Sequence, residues 1–236
     1  MNLRLDKLLA NTGFGSRKDV KQLIKKKQVK VNEVIVKKAD ITVNPEVDII
    51  TCKGEKVEYQ EFIYFMLHKP PGYLSATEDA MQKTVLDLLE EKDKLLNPFP
   101  AGRLDKDTEG LLLITNDGQL AHDLLSPKKH VRKKYYAKIE GLVTKADIDE
   151  FKKGVDIGGY VTKPSDLIIL SGDTISEIEV TITEGKFHQV KKMFEAVDKK
   201  VIYLKRLSMG SLTLDENLPK GKYRQLTNDE LDSLKK

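Results

Sequence analysis

The sequence predicts an α+β protein in two parts: a small N-terminal module of helix, turn, helix and short strands, then a larger domain on a mixed, largely antiparallel sheet. Three observations carry this. Two short amphipathic helical patterns, separated by a glycine-rich break, open the chain. From Phe62 onward apolar strand runs and short helical stretches interleave, some in hairpin-like succession and some around helices. Between them lies a polar stretch, Gly54 to Glu61, which reads as a linker and divides the 236 residues into domains 1–59 and 60–236.

In the first part, Leu5, Leu8 and Leu9 fall at i, i+3, i+4, so Leu3 to Asn11 forms a helix that Thr12-Gly13-Phe14-Gly15 breaks. Ser16 then caps a second helix with Asp19 three residues on, and Val20, Leu23 and Ile24 give it a buried stripe. Its other face carries Arg17, Lys18, Lys21 and Lys25, continued by Lys26, Lys27 and Lys30. Val29-x-Val31, Val34 to Val36 and Val47 to Ile50 read as strands. Residues 1–60 hold 13 Lys and Arg against 8 Asp and Glu, while the remaining 176 residues sum to −1, so the positive excess sits in this module.

In the second part, strands are expected at Phe62–Leu67, Leu111–Ile114, Tyr136–Ile139, Leu167–Leu170, Ser176–Thr183, Val201–Leu207 and Leu212–Leu214. Helices are expected near Thr84–Glu91, Leu120–Leu125, Lys145–Lys153 and Val190–Val197. Two prolines and a glycine in His68-Lys69-Pro70-Pro71-Gly72-Tyr73 stop the first strand in a rigid turn.

Composition removes several classes. A chain 39% hydrophobic and 33% charged, without a membrane-length apolar run or a signal-peptide core, is expected to be soluble and cytoplasmic. One cysteine, Cys52, excludes an internal disulfide, and four scattered histidines have no ligand spacing, so no metal is expected. A dinucleotide fingerprint and a P-loop are both absent, and no cofactor is expected. Asp105-x-Asp107-x-Glu109-Gly110 imitates half a calcium loop, but its twelfth position is Asn116 where a bidentate Glu is needed.

The richest segment is Gly102-Arg103-Leu104-Asp105-Lys106-Asp107-Thr108-Glu109-Gly110, running into Leu111-Leu112-Leu113-Ile114. A carboxylate on a Gly-bounded loop, with an Arg two residues before it and a buried strand after it, is built as a catalytic acid is; a solvated turn is the plain alternative. With Thr115-Asn116-Asp117-Gly118 following, the segment resembles the signature of the RNA pseudouridine synthases, in particular the RsuA branch acting on ribosomal RNA. Residues 1–59 resemble the S4 RNA-binding domain, and the resemblance extends over nearly the whole chain.

The resemblance implies an enzyme that isomerises uridine to pseudouridine in RNA without a cofactor, most of all the uridine-516 type site of small-subunit (16S) ribosomal RNA. Asp105 is then the catalytic carboxylate, attacking C1′ or C6 or removing a C2′ proton; these roles stay open. Tyr64 to Tyr73 frames the site. Lys133-x-Tyr135 matches the motif whose Tyr stacks on the uracil, although Lys134 stands where Thr is usual and Tyr136 is the alternative. In Glu184-Gly185-Lys186-Phe187-His188-Gln189-Val190-Lys191-Lys192, the family's basic residue beside the Asp falls on Lys191 first and Lys192 second. This spelling is closer to the small-subunit enzyme than to its large-subunit paralogues. Arg103, Lys133 and Lys192, with Arg17, Lys18, Lys21 and Lys25 of the S4-like helix, are the expected RNA contacts. Asp107 and Thr108 would hold the loop. The expected partner is ribosomal RNA, free or in a partly assembled subunit, bound by a monomer with no membrane association. The alternatives are a large-subunit pseudouridine synthase, a non-catalytic RNA-binding assembly factor, or a hydrolase pairing Asp105 with Asp107.

Overall fold

The computed structural model describes residues 2–236, which form two compact units, one of positions up to 63 with 90–98 and one of 64–89 with 99–236. The first contains β1 (Leu3–Arg4), α1 (Leu5–Asn11), α2 (Arg17–Lys25), β2 (Val29–Val31), β3 (Val34–Ile35), β4 (Thr42–Val43), β5 (Ile50–Cys52), β6 (Glu55–Lys56) and α3 (Glu91–Lys94). β3-β2-β5-β6 form an antiparallel sheet, and β1 pairs with β4.

α1 begins two residues later than its apolar spacing suggests, because Leu3 and Arg4 pair with Val43 and Thr42. Ser16 and Asp19 bond each other's backbone at the start of α2, satisfying two otherwise orphaned donors. Leu5, Leu8, Leu9, Val20, Ile24 and Val29 form the core of this unit. The strand expected over Val47–Ile50 lies later, at Ile50–Cys52, because Asn44 and Asp48 fold the preceding residues into a turn. Nor is all of Gly54–Glu61 a linker: Lys53 and Gly54, both at positive φ, turn Glu55–Lys56 back onto Thr51–Cys52 as a hairpin.

The second unit contains β7 (Tyr64–Lys69), β8 (Phe99–Ala101), β9 (Glu109–Thr115), α4 (Gly118–Leu125), β10 (Lys133–Glu140), α5 (Lys145–Lys153), β11 (Asp166–Ser171), β12 (Ile175–Ile182), α6 (Gln189–Glu195), β13 (Lys200–Met209), β14 (Leu212–Thr213), β15 (Tyr223–Gln225) and α7 (Asn228–Lys235). The sheet order is β11-β12-β10-β13-β9-β7-β15, with β14 on β13 and β8 on β9. Among the described residues, every strand pairing of this sheet is antiparallel except β13 with β9, joined at Lys205–Glu109 and Arg206–Gly110.

β7 and β9 are buried along their whole length, which is why Leu111 to Ile114 shows no polar alternation. Leu120 and Leu124 of α4 and Leu234 of α7 pack with Met66, Leu111 and Leu113 into one core. Elsewhere Phe151 of α5 and Phe194 of α6, both fully buried, have ring centroids 4.9 Å apart. The helix expected over Thr84–Glu91 is only a 3₁₀ turn, Val85–Leu88. Thr84 and Asp87 close it, and Leu89 continues extended, so Val85 and Leu89 are both buried without a helical backbone between them. Among the described residues no helix is long and apolar enough to cross a membrane.

Candidate active site

Asp105 sits on the loop between β8 and β9, and that loop is fastened by its backbone. The side chain of Lys69, fully buried at the end of β7, donates from Nζ to the carbonyls of Pro70, Asp105, Lys106 and Thr108 at 3.1, 3.1, 3.2 and 2.9 Å. Burial pushes this ammonium down to about 8, against the pull of Asp107, Asp105 and Glu109. Ser75 both donates to the Leu104 carbonyl (2.9 Å) and accepts from its N–H (3.0 Å). Leu104 is itself buried, which contributes about 1.5–3 kcal/mol to keeping the loop down. Gly110 closes the segment at φ +104, with the point where a Cβ would stand only 2.2 Å from the Arg206 carbonyl oxygen; no other residue fits there.

The side chain of Asp105 is 25% exposed and faces the turn that leads into α6. Lys191 Nζ lies 3.2 Å from one carboxylate oxygen and His188 Nε2 3.6 Å from the other. Lys191 also donates to both oxygens of Asp107, at 2.7 and 2.9 Å. Burial alone would lower Lys191 and raise Asp107, but their mutual hydrogen bond and opposite charges reverse both, with the charge of Asp105 also acting on Lys191: Lys191 is held above its ordinary value and Asp107 below. Gln189 fixes the turn from inside, donating to buried Glu184 (3.0 Å) and accepting from the Lys186 N–H (2.9 Å). His188, at φ +53, thereby reaches back toward Asp105.

Register connects Tyr135 to the same neighbourhood. It pairs with Val180 and Arg206, and Arg206 pairs with Gly110 at the end of the Asp105 loop. Strand alternation places Tyr135 and Arg206 on one face and Tyr136, Tyr203 and Lys205 on the other. Tyr135 is 7% exposed, whereas Tyr136 packs edge-on against Tyr203 across the sheet. Arg206 is buried, with Nε donating to the Leu111 carbonyl at 2.7 Å and Nη2 lacking a partner among the described residues.

Asp105 and Lys191 are thus brought together, while Tyr135 is related to the Asp105 loop through strand register. Arg103 is exposed and makes no ion pair among the described residues. Lys192 does not reach Asp105; its Nζ lies 5.5 Å from the Phe187 ring centroid. Lys133 is interior: it is 7% exposed, donates to the Val131 carbonyl, and is pushed down to about 8 by burial and by Arg206. A strand start with alternating burial does not reveal that its lysine points inward. Lys134, in the position where Thr is usual, pairs with Glu179 at 2.9 Å. In the first unit Arg17, Lys18, Lys21 and Lys25 are all exposed and free of salt bridges among the described residues.

Lys69, Ser75, His188 and Arg206 are the neighbours that sequence reasoning did not single out. For Lys69 a signal was present, a lysine that follows the apolar run Tyr64–Leu67 and His68 and stands directly before two prolines. The carboxylates of the calcium-like triplet do not converge on one point: Asp105 and Asp107 share Lys191, whereas Glu109 turns to Tyr203 and Lys220. A cavity of about 440 Å³ lined by Asp117, Leu120, Leu124, Gly210 and Leu234 includes none of the residues around Asp105.

The profile of the RNA pseudouridylate synthases matches residues 63–196, and that of the S4 domain matches residues 3–49. An RNA pseudouridine synthase of Bacillus subtilis (strain 168) is 54% identical over 98% of each chain. The ribosomal small subunit pseudouridine synthase A of Escherichia coli (strain K12) is 38% identical over 98% of this chain and 100% of its own. The ribosomal large subunit pseudouridine synthase B of Bacillus subtilis is 39% identical over 98% of this chain and 95% of its own. A carboxylate on a fastened loop, paired with a lysine and preceded in the chain by an S4 domain, is therefore the setting of an enzyme, and the chain belongs to the RNA pseudouridine synthase family.

Proposed function

We propose that this enzyme converts a specific uridine of ribosomal RNA to pseudouridine, with Asp105 as the catalytic carboxylate. The observation that carries the assignment is the placement of Asp105, 3.2 Å from Lys191 on a loop whose carbonyls converge on Lys69. The glycosidic bond from C1′ to N1 breaks, the uracil turns, and C1′ joins C5; C5 loses its proton and N1 takes one up, so nothing is oxidised or reduced. Asp105 acts on C1′, C6 or C2′ in the breaking step, and Lys191 holds its charge in place.

The uridine must leave its stack, at a cost of about a few kcal/mol. Tyr135 takes the uracil face, and Arg103, exposed and without an ion pair among the described residues, fills the space the base vacates. Phosphate contacts by Lys192 and by Arg17, Lys18, Lys21 and Lys25 offset the cost through counterion release. The enzyme works as a monomer in the cytoplasm, where ribosomes are assembled.

Identity to small- and large-subunit enzymes is nearly equal, 38% and 39%, so overall similarity does not separate them. The Lys186-Phe187-His188-Gln189-Val190-Lys191 spelling supports the small-subunit (16S) RNA and a uridine-516 type site. Mapping pseudouridine in both ribosomal RNAs from cells lacking the protein, with and without an Asp105→Asn copy, tests this. One small-subunit position should lose its pseudouridine and not regain it with Asp105→Asn. Restoration by Asp105→Asn defeats the catalytic assignment, and loss in the large-subunit RNA defeats the substrate.

A further inference from the structure

Phe187 is 71% exposed, yet it is not a loose surface side chain. Its ring stacks on the imidazole of His188, with centroids 3.8 Å apart and planes 19° from parallel. His188 in turn lies 3.6 Å from Asp105, so the exposed ring is one side chain removed from the carboxylate. The turn that carries it is pinned by Gln189 to Lys186 and Glu184, and cations surround it: Lys192 lies 5.5 Å from the Phe187 centroid and Lys186 4.2 Å from that of Tyr160. An exposed aromatic ring, held flat by a neighbour and bordered by lysines, has the composition of a single-strand nucleic-acid subsite.

We propose that Phe187, backed by His188, is a stacking subsite for a nucleobase that flanks the target uridine in the RNA. The flipped uracil enters beside Asp105; the adjacent base lies on Phe187, and Lys186 and Lys192 meet its phosphates. The stack explains why an apolar ring stays in water at the mouth of a charged site, and it gives the enzyme a hold on the strand next to the reacting nucleotide. Because every base has a π-face, the subsite contributes affinity and strand alignment with little base selectivity.

This inference rests on the proposed ribosomal RNA substrate, and the experiment separates the two. Small- and large-subunit ribosomal RNA transcripts labelled with [5-³H]uridine release tritium as C5 is joined to C1′. Phe187→Ala should lower kcat/KM by about 5- to 150-fold, chiefly through KM, which is the range that base–aromatic stacking supplies. Phe187→Trp should restore it, and unfolding of both variants should match wild type because the ring is exposed. Once the modified position is mapped, an abasic site on one side of it should impose the same loss on wild type and no further loss on Phe187→Ala. No release by wild type from either RNA overturns the substrate and this inference with it. Release by wild type with equal kcat/KM for Phe187→Ala, failure of Trp to rescue, or abasic effects that add to the alanine effect at both flanks overturn the subsite alone.

Discussion

Replacing Lys69 by Met removes one charge and leaves the hydrocarbon stem in place, and its consequences can be worked carbonyl by carbonyl. The Asp105 carbonyl keeps the Thr108 N–H and the Lys106 carbonyl keeps the Gly72 N–H, so neither is orphaned. Pro70 and Thr108 lose the donor that Lys69 provides, at about 1–3 kcal/mol each. Against this, the buried ammonium no longer has to be desolvated; its shift from 10.5 to about 8 corresponds to a cost on the order of 3 kcal/mol at neutral pH. The net loss of stability is then at most about 3 kcal/mol, which a domain with about 5–15 kcal/mol can bear. The loop, however, loses its central tie, and a displacement of about 1 Å at Asp105 lowers turnover on the order of 100-fold. Urea unfolding and tritium release, measured on the same preparation, check both numbers. The pH dependence adds a sign. Folded Lys69 titrates near 8 and the unfolded side chain at 10.5, so between these values the unfolded chain holds the extra proton. Wild-type stability relative to Lys69→Met should therefore rise as pH increases from about 8 to 10.5. Lys133, also pushed down to about 8, is common to both proteins and cancels. Turnover within tenfold of wild type in a folded Lys69→Met, or a stability difference flat across that pH range, refutes the role given to Lys69.

Tyr135→Leu should lose about 1–3 kcal/mol of transition-state binding, while Tyr135→Phe separates stacking from proton removal. Single-turnover rates decide: near-normal Phe means stacking alone, a Phe variant that stalls after glycosidic cleavage means the hydroxyl helps at C5, and a normal Leu variant removes Tyr135 from the site. Lys18→Gln with Lys21→Gln should make the slope of log affinity against log salt shallower by about 0.7–0.9 for each phosphate no longer neutralised, with kcat unchanged in filter-binding and turnover assays. An unchanged slope removes α2 from the RNA interface. Gly110→Ala must leave φ +104 or push Arg206 away; it should cost at least about 1–3 kcal/mol in thermal unfolding and abolish turnover even below its melting temperature.

Legibility in the sequence followed the physics of each signal. α2 and the helix over Lys145–Lys153 were readable because apolar spacing agreed with a capping residue at the start, whereas α1, whose preceding Arg4 makes no side-chain cap bond, begins two residues later than its spacing suggests. Val85 and Leu89 imitated that spacing without a continuing backbone, and periodicity alone cannot separate one turn from a helix. β8, β15 and α7 carried too little pattern to be read in advance. At the site, Asp105, Tyr135 and Lys191 stood inside local motifs. The inward lysine at 69 and the imidazole of His188 act through contacts made 36 and 83 residues away, which no window of sequence contains.

The single parallel seam of the sheet has a consequence for how the enzyme comes into being. Gly110 meets Arg206 across nearly a hundred residues, and β13 must be placed before β9 and the loop ahead of it have their final neighbour. Closures of that span come late in folding, because their entropy is lost before the non-local contacts repay it. A nascent chain can form its S4 domain first and grip RNA while its chemistry is still unassembled. Binding would then precede competence during synthesis, and a polypeptide ending before Arg206 would be a ligand of RNA and never its modifier.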